Sequence, residues 1–188
     1  AEVDAVIHTA TLHKPHVATH SRQAFVDTNL SGTLNLLEAA SGAGPMPFIY
    51  TSTTSTFGDA MRPAPGAPAV WVTEQLKPKP KNIYGVTKGM AEDLAHLYAR
   101  REGLPVVVLR AARFFPEADD DPDRRAEYSD DNLKTNEFAY RRLDIEDCAE
   151  AHLLAVGRAP ALGFARLILS APTPSRPGDA AALGTDAE

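Results

Sequence analysis

The stretch that decides the fold is Pro-Val-Val-Val-Leu-Arg at residues 105–110, a short run that is apolar on both faces. A strand of this kind is typical of a parallel sheet that helices cover on both sides. Similar short runs lie elsewhere in the sequence, and helical patterns separate them. The predicted strands are residues 3–10, 48–51, 105–110 and 164–170. Strands that alternate with helices, without an internal repeat, indicate an α/β fold with a parallel sheet.

Three helices are predicted from the spacing of apolar residues and from capping signals. They cover residues 25–37, residues 84–101, and a segment that begins after the capping residue Asp144. The second helix is expected to place on its inner face Met90, Leu94 and Leu97. On the last helix, one face is expected to carry Ile145, Cys148, His152 and Ala155.

The composition indicates one soluble globular domain. The 188 residues are 44% apolar and 23% charged, and a chain of this length buries about 70% of its unfolded surface. No apolar run approaches the roughly 20 residues that a membrane helix needs, so no membrane partner is expected. Cys148 is the single cysteine. It excludes an internal disulfide framework and makes the reducing cytoplasm the expected location.

The net charge of -6 is concentrated in residues 117–131, which hold eight acidic side chains against Arg124 and Arg125. We expect this acidic segment to be a solvated loop, and a metal or cationic-ligand site is the alternative. The rest of the chain is neutral and has no basic stripe. Nucleic acid is therefore not an expected partner.

A tyrosine and a lysine lie one helical turn apart where the second helix is predicted to begin. Tyr84 and Lys88 stand at positions i and i+4, so they face the same way. A phenol titrates at about 10, and a neighbouring ammonium favours the phenolate. Such a tyrosine can pass a proton to or from a substrate hydroxyl. Taken alone, the same spacing also fits an ordinary exposed helix start.

Hydroxyl side chains follow the strand predicted at residues 48–51. Residues 52–56 read Ser-Thr-Thr-Ser-Thr and precede Phe57 and Gly58. They stand at the carboxyl end of a parallel strand, where open α/β sheets bind ligands. A turn whose side chains satisfy its own backbone is the alternative.

Together these motifs resemble the extended short-chain dehydrogenase/reductase family, which includes nucleotide-sugar epimerases and dehydratases. The resemblance covers most of residues 3–170. It rests on segments similar to the family's fourth strand and next helix, its Ser/Thr-rich strand end, its Tyr/Lys segment and its two late segments: residues 6–10, 27–33, 51–58, 82–88, 109–116 and 142–152. The implied fold is a Rossmann-like doubly wound parallel sheet, truncated in its N-terminal half, with a small C-terminal substrate region.

The resemblance also implies a site and a reaction. Tyr84 would be the general acid/base, and Lys88 would lower the Tyr84 pKa and hold the nicotinamide ribose. Thr53, with Ser52 as the neighbouring candidate, would bind the reacting oxygen. Hydride would pass between the substrate and NAD or NADP, which supplies the hard chemistry. The residues implied in cofactor binding are Thr9, Ala10, His13, Asn29, Thr53, Tyr84 and Lys88. Those implied in substrate binding are Ser52, Thr54, Arg113 and Arg141.

The sequence departs from the family at its beginning. Family members open with a strand, a glycine-rich turn and a helix that together seat the pyrophosphate, and no such glycine cluster is present. The resemblance starts at the fourth strand, so we expect residues 3–9 to form an open sheet edge that favours self-association. The family resemblance implies a homodimer formed through the helices that carry Asn29 and Tyr84. The residues that would distinguish NAD from NADP belong to the absent part.

The substrate side departs from the family as well. Arg113 stands where the family has an asparagine, and Tyr140, followed by Arg141, stands where it has an arginine. These arginines can bind phosphate or carboxylate bidentately, and ion pairs with nearby acids are the alternative. The acidic segment would repel a diphosphate. A sugar nucleotide is therefore one expected substrate class, and a non-nucleotide alcohol is another.

Three histidines raise the question of a metal. His13, His16 and His20 lie at helical spacing, and such spacing can ligate zinc. No cysteine or carboxylate stands beside them to complete a site. We therefore expect no metal.

These inferences divide the chain and give it a function. The expected parts are a partial NAD-binding domain with the catalytic Thr, Tyr and Lys, an acidic substrate-side loop region, a last helix and strand, and a flexible tail: residues 1–112, 113–143, 144–171 and 172–188. The expected function is that of an NAD(P)-dependent epimerase/dehydratase-like oxidoreductase acting on a secondary alcohol or ketone of a small molecule. A dehydrogenase of a non-nucleotide alcohol and a non-catalytic fragment or scaffold are the alternatives.

Overall fold

The structure is a computed structural model that describes residues 3–114 and 142–185. Within these residues four parallel strands form one sheet in the order β1-β2-β3-β4. The strands are β1 Val6–His8, β2 Phe48–Thr53, β3 Val106–Ala111 and β4 Phe164–Leu169. The predicted parallel α/β sheet is confirmed, and β1 is shorter than predicted.

The helices of the described residues include the three that the apolar spacing predicted and a short one in the C-terminal tail that it did not predict. They are α1 Arg22–Phe25, α2 Gly32–Ala43, α3 Ile83–Glu102, α4 Ile145–Leu162 and α5 Ala180–Thr185. A π-helical stretch, Val26–Ser31, joins α1 to α2. Helix α3 begins because the Asn82 side chain accepts a hydrogen bond from the Gly85 amide, and it ends at Gly103, which adopts a left-handed conformation.

The core lies on both faces of the sheet because successive strand residues point in opposite directions. Phe48 and Tyr50 of β2 pack against α2 and α3, in a cluster that includes Leu37, Ala95 and Val106. On the other face, a second cluster fills the space between the sheet and α4, and it consists of Ile49, Val107, Leu109, Ala155 and Ala159. This arrangement is the doubly wound one that the apolar β3 strand predicted.

The inner face of α3 differs from the prediction. Met90 and Leu97 are 46% and 41% exposed, so they lie on the outer face, whereas Leu94 is half-buried. The residues that α3 buries are small or polar: Tyr84, Gly85, Thr87, Lys88, Ala91, Glu92, Ala95 and Tyr98. Apolar spacing failed here because α3 approaches the sheet through small side chains and a polar network that stands among them.

Helix α4 begins as predicted, because the Asp144 carboxylate accepts a hydrogen bond from the Glu146 amide at 2.7 Å. Cys148, His152 and Ala155 share the buried face, but Ile145 is 60% exposed and does not. Ile145 is the first residue of the helix, where the chain has not yet turned onto the sheet.

The tail expected to be flexible contains ordered structure. Residues Pro177–Asp179 form a 3₁₀ turn that leads into α5. The Ala69 amide donates a hydrogen bond at 2.7 Å to the carbonyl of Ala180. The tail is thereby anchored to the proline-rich segment that precedes α3.

Strand β1 lies at one edge of the sheet within the described residues, as predicted. Its Ile7 side chain is 41% exposed at that edge. The acidic segment 117–131, Tyr140 and Arg141 lie outside the described residues. No helix in the two described ranges is long and apolar enough to cross a membrane.

Candidate active site

A cleft of about 1230 Å³ opens where β1, β2 and β3 end. Carboxyl ends of parallel strands are the ligand-binding edge of open α/β sheets. The sequence-predicted residues that line the cleft are Thr9, His13, Ser52, Thr53, Thr54, Tyr84, Lys88 and Arg113. The lining also includes two apolar groups, one after β3 and one on α4: Ala111, Ala112 and Phe114, and Ile145, Ala149 and Leu153.

The end of β2 turns sharply, and the turn aims Thr53. Thr53 Oγ1 accepts the Ser55 amide at 3.1 Å, and the Thr56 hydroxyl donates to the Thr53 carbonyl at 2.9 Å. The predicted self-satisfying turn is therefore real. Because Thr53 Oγ1 accepts from the backbone, its own proton remains available for a hydrogen bond into the cleft.

Tyr84 meets this turn at the first turn of α3. Gly85 makes the contact possible, because a Cβ atom there would lie 2.8 Å from the Ser55 carbonyl oxygen. The Tyr84 and Thr53 side chains both line the cleft. Burial raises the Tyr84 pKa above its ordinary value, and an interaction with the Thr53 side chain opposes that rise. Tyr84 is therefore a neutral phenol at pH 7, and the Thr53 hydroxyl lines the same cleft.

Lys88 lies one turn further along α3, beneath the cleft. Its Nζ donates to the Thr51 carbonyl oxygen at 2.5 Å and stands 4.1 Å from the centroid of the Tyr50 ring. Burial lowers the Lys88 pKa to about 7, and the negative charge of Glu92 opposes that change. Desolvation is the largest cause of the pKa change at both residues. The expectation that Lys88 favours the Tyr84 phenolate stays a prediction.

Asn29 does not line the cleft and acts on the backbone instead. It lies in the π-helical stretch, where its Oδ1 accepts the Leu12 amide at 2.7 Å and the Thr11 hydroxyl at 3.0 Å. Its Nδ2 donates to the Leu12 carbonyl and to the Thr87 hydroxyl. Asn29 therefore fixes the loop after β1 against α3, and any effect on a cofactor passes through that loop.

The other predicted residues divide into four groups. The Ser52 hydroxyl donates a hydrogen bond to Glu92 at 2.5 Å. Ser52 therefore lines the cleft, but its proton is not free to bind a ligand. Ala10 is exposed and is not part of the cleft lining. Thr9, His13, Thr54 and Arg113 line the cleft. Arg141 lies outside the described residues.

Sequence reasoning missed a contact between β2 and α4. His152 Nδ1 lies 2.7 Å from the Cys148 carbonyl oxygen, which can only accept, so Nδ1 carries the proton. His152 Nε2 therefore accepts from the Thr51 hydroxyl, 2.7 Å away. The shared face of Cys148 and His152 was visible in the sequence, but their partner 101 residues away was not.

The three early histidines stand together at one side of the cleft. His13 and His16 ring centroids are 4.5 Å apart, and those of His16 and His20 are 5.1 Å apart. His16 Nδ1 accepts the His13 amide, which occupies that nitrogen. In the part of the chain that the structure describes, no group of His, Cys, Asp or Glu side chains is arranged to hold a metal ion.

A parallel sheet with helices on both faces defines the class of doubly wound α/β proteins, which bind ligands in a cleft at the carboxyl ends of the strands. A family model, the NAD dependent epimerase/dehydratase family, matches residues 1–162. The chain belongs to this family.

Individual relatives agree with that assignment. The chain is 29% identical over 178 residues to a UDP-glucose 4-epimerase of Streptomyces lividans, covering 84% of the chain and 52% of the relative. It is 36% identical over 115 residues to an L-arabinose 1-dehydrogenase (NAD(P)(+)) of Haloferax volcanii, covering 57% and 43%. The solved structure of RMD from Pseudomonas aeruginosa complexed with NADPH superposes with a TM-score of 0.69 at 28% identity, covering 89% and 60%. The chain spans about half the length of these relatives.

Proposed function

We propose that this chain carries the catalytic centre of an NAD(P)-dependent epimerase/dehydratase-like oxidoreductase that acts at a secondary alcohol or ketone. The observation that carries the proposal is the convergence of Thr53, Tyr84 and Lys88 on one cleft. They come from two elements, β2 and α3, that the Gly85 contact holds together. Family membership supports the same reaction class.

The geometry gives each residue a role. Tyr84 is a neutral phenol, so it donates a proton to an oxygen on which negative charge develops, and Thr53 binds the same oxygen. In the reverse direction Tyr84 accepts the proton, and a charged Lys88 one turn away favours the phenolate. The nicotinamide cofactor, when bound, supplies the hydride chemistry.

The cleft fits the nicotinamide half of such a cofactor. Lys88 and Tyr84 offer polar groups for a ribose, and Thr9 and His13 lie along the same wall. The apolar side chains after β3, Ala111, Ala112 and Phe114, present a surface suited to a flat ring.

A sugar nucleotide is the proposed substrate class. Relatives named UDP-glucose 4-epimerase support it, and Arg113 in the cleft lining is a candidate phosphate ligand. A free sugar is the second candidate, and the relative named L-arabinose 1-dehydrogenase favours it. An activity assay distinguishes the two candidates. Interconversion of UDP-glucose and UDP-galactose would support the sugar nucleotide, and reduction of NAD(P) by L-arabinose would support the free sugar.

A Tyr84→Phe variant tests the mechanism, in a cofactor-competent protein that contains this chain. We expect turnover to fall by about 10²-fold or more. The matched control is Tyr98→Phe, because Tyr98 lies on the same helix and bonds to Glu38 outside the cleft. Undiminished turnover in Tyr84→Phe would contradict the proposed role of Tyr84 as the general acid/base. A folded chain that neither binds NADH nor turns over would favour the alternative, a non-catalytic fragment or scaffold that cannot bind cofactor alone.

We also propose that the chain forms a homodimer through α2 and α3. A groove of about 470 Å³ between these helices is lined by Leu30, Leu34, Met90 and Leu94. Leu34 and Met90 are large apolar side chains left in solvent, and contiguous exposed apolar surface marks interaction sites. Sedimentation velocity should show a dimer that Met90→Glu dissociates. Leu162→Glu, an exposed apolar position at the end of α4, is the control that should leave it intact.

A cytoplasmic location is proposed on the cysteine alone. Cys148 is buried and free, and burial raises the pKa of its thiol. A buried protonated thiol suits a reducing compartment. Recovery of the native protein with the soluble cytoplasmic fraction, rather than with exported proteins, tests this.

A further inference from the structure

A buried ion pair stands one helical turn below Lys88. The Glu92 carboxylate, 1% exposed, pairs with Arg110 of β3, whose Nη2 is 2.6 Å from Oε2 and whose Nε is 3.0 Å from Oε1. Ser52 of β2 donates to the same carboxylate at 2.5 Å. Arg166 of β4 adds a longer contact, Nε to Oε2 at 3.4 Å. Three strands of the sheet therefore hold one carboxylate of α3 in place.

Successive residues of β2 bind successive turns of α3. The Thr51 carbonyl accepts Lys88 Nζ, and the Ser52 hydroxyl donates to Glu92. Residues four apart on a helix share a face, so Lys88 and Glu92 both point at the sheet. Two adjacent residues of β2 thus bind the ammonium and the carboxylate, Thr51 the first and Ser52 the second.

Burying an ammonium without a counter-charge is costly, and the neighbours of Lys88 show what compensates it. Tyr50 offers only the face of its ring, and burial raises the pKa of its phenol further above neutrality. Burial and the Lys88 charge lower the His8 pKa to about 4, so His8 is neutral. Tyr84 is a neutral phenol. The Arg110 and Arg166 charges on β3 and β4 are positive and are directed at Glu92.

We propose that Glu92 is a positioning residue for the reaction, whose anchored carboxylate keeps Lys88 an ammonium at the end of β2, facing Tyr84 and the cleft. This inference rests on the role proposed above for Lys88. The structure gives Glu92 a charge effect as well as a packing role, because its negative charge opposes the loss of the Lys88 proton that burial favours. An amine in place of the ammonium would no longer favour the phenolate of Tyr84.

The test is a direct titration of Lys88 in the 188-residue chain, followed by NMR of ¹³C-labelled lysine side chains. The chain has six lysines, and the Lys88 signal is identified by its loss in Lys88→Met. In Glu92→Gln, which nearly keeps the side-chain volume and removes the charge, we expect the midpoint to fall by about one pH unit or more. That is about a tenfold fall in the ratio of charged to neutral Lys88 at a fixed pH.

Two variants separate charge from packing. Glu92→Asp shortens the side chain but keeps the charge, so its midpoint should stay close to that of the unmodified chain. Asp93→Asn removes the next carboxylate on the same helix, which is exposed and paired with Arg166, and it should have no effect. If Glu92→Gln does not fold, Glu92→Gln/Arg110→Met replaces the buried pair with neutral side chains and should shift the midpoint in the same direction.

An unchanged Lys88 midpoint in a folded Glu92→Gln or double variant would overturn the inference. An equal shift in Glu92→Asp would overturn it too, because the effect would then follow geometry and not charge. The titration needs neither cofactor nor turnover. The titration can therefore still be interpreted if the proposed reaction proves wrong. An active enzyme in which Glu92→Gln leaves the Lys88 midpoint unchanged would contradict this inference but not the proposed function.

Discussion

Gly85 controls how closely α3 approaches the end of β2, and a substitution there tests that geometry. A Cβ atom at Gly85 would lie 2.8 Å from the Ser55 carbonyl oxygen and 2.9 Å from Pro80 Cβ. Neither atom belongs to a flexible side-chain end, so the helix must shift. Such overpacking costs about 1–3 kcal/mol, whereas alanine in place of glycine within a helix gains about 0.8–1.0 kcal/mol. We expect Gly85→Ala to lower the free energy of unfolding by about 1 kcal/mol.

Gly89 provides the matched control on the same helix, because a Cβ atom there would have no atom within 4 Å. Gly89→Ala should therefore raise the free energy of unfolding by about 1 kcal/mol. Equilibrium urea unfolding followed by circular dichroism measures both, and the two variants should differ by about 2 kcal/mol at equal m-values. Gly85→Ala should also displace Tyr84 from Thr53. The geometry would be refuted if Gly85→Ala proved as stabilising as Gly89→Ala.

Three further predictions concern stability. Asn82→Ala removes the cap of α3 and should cost about 1 kcal/mol in urea unfolding, whereas Asn35→Ala, at an exposed position inside α2, should not be destabilising; equal losses would argue against the cap. Gly58 adopts a φ of 51°, and a Cβ atom there would lie 2.2 Å from the Lys79 carbonyl oxygen, so Gly58→Ala should lower the melting temperature more than Gly85→Ala does, and a smaller loss would contradict the contact. The pKa of His8 falls from 6.5 to about 4 on folding, so the unfolded chain binds the extra proton, and the free energy of unfolding should fall by about 3 kcal/mol as the pH falls from 6.5 towards 4. Urea unfolding across that range should show a loss of stability that His8→Gln reduces, and an unchanged loss would mean that other groups cause it.

The strands and helices were predictable because their signals are local. The Val-rich run of β3 predicted a sheet that helices cover on both faces. Asn82 and Gly103, which stand at the ends of α3, are residues that helix caps prefer. The inner face of α3 was not predictable in the same way. Met90 and Leu97 follow helical spacing, but the sheet is covered by small residues and by Glu92, and a sequence does not show which face of a helix meets a polar partner.

The candidate site also has a part that was predictable from local sequence and a part that was not. Tyr84 and Lys88 were found because both lie on one helix, where spacing alone aligns them. Glu92 continues that spacing by one further turn, and this was the signal that could have identified it. Its partner Arg110 comes from β3 and is 18 residues away, and the contact depends on how the helix lies across the sheet. Spacing within an element predicts alignment, but pairs between elements require the packing.

The choice between Ser52 and Thr53 shows how the pleat of a strand assigns chemistry. In the sequence, Thr51, Ser52 and Thr53 are three adjacent and equivalent hydroxyls. Side chains alternate along a strand, so the Thr51 hydroxyl meets His152 of α4 on one face, and Ser52 meets Glu92 of α3 on the other. Thr53 returns to the first face as β2 ends, where the turn brings it to Tyr84. A single-residue shift in the register of β2 would exchange the structural hydroxyls and the one proposed to be catalytic, so the sheet register decides which hydroxyl reaches the cleft.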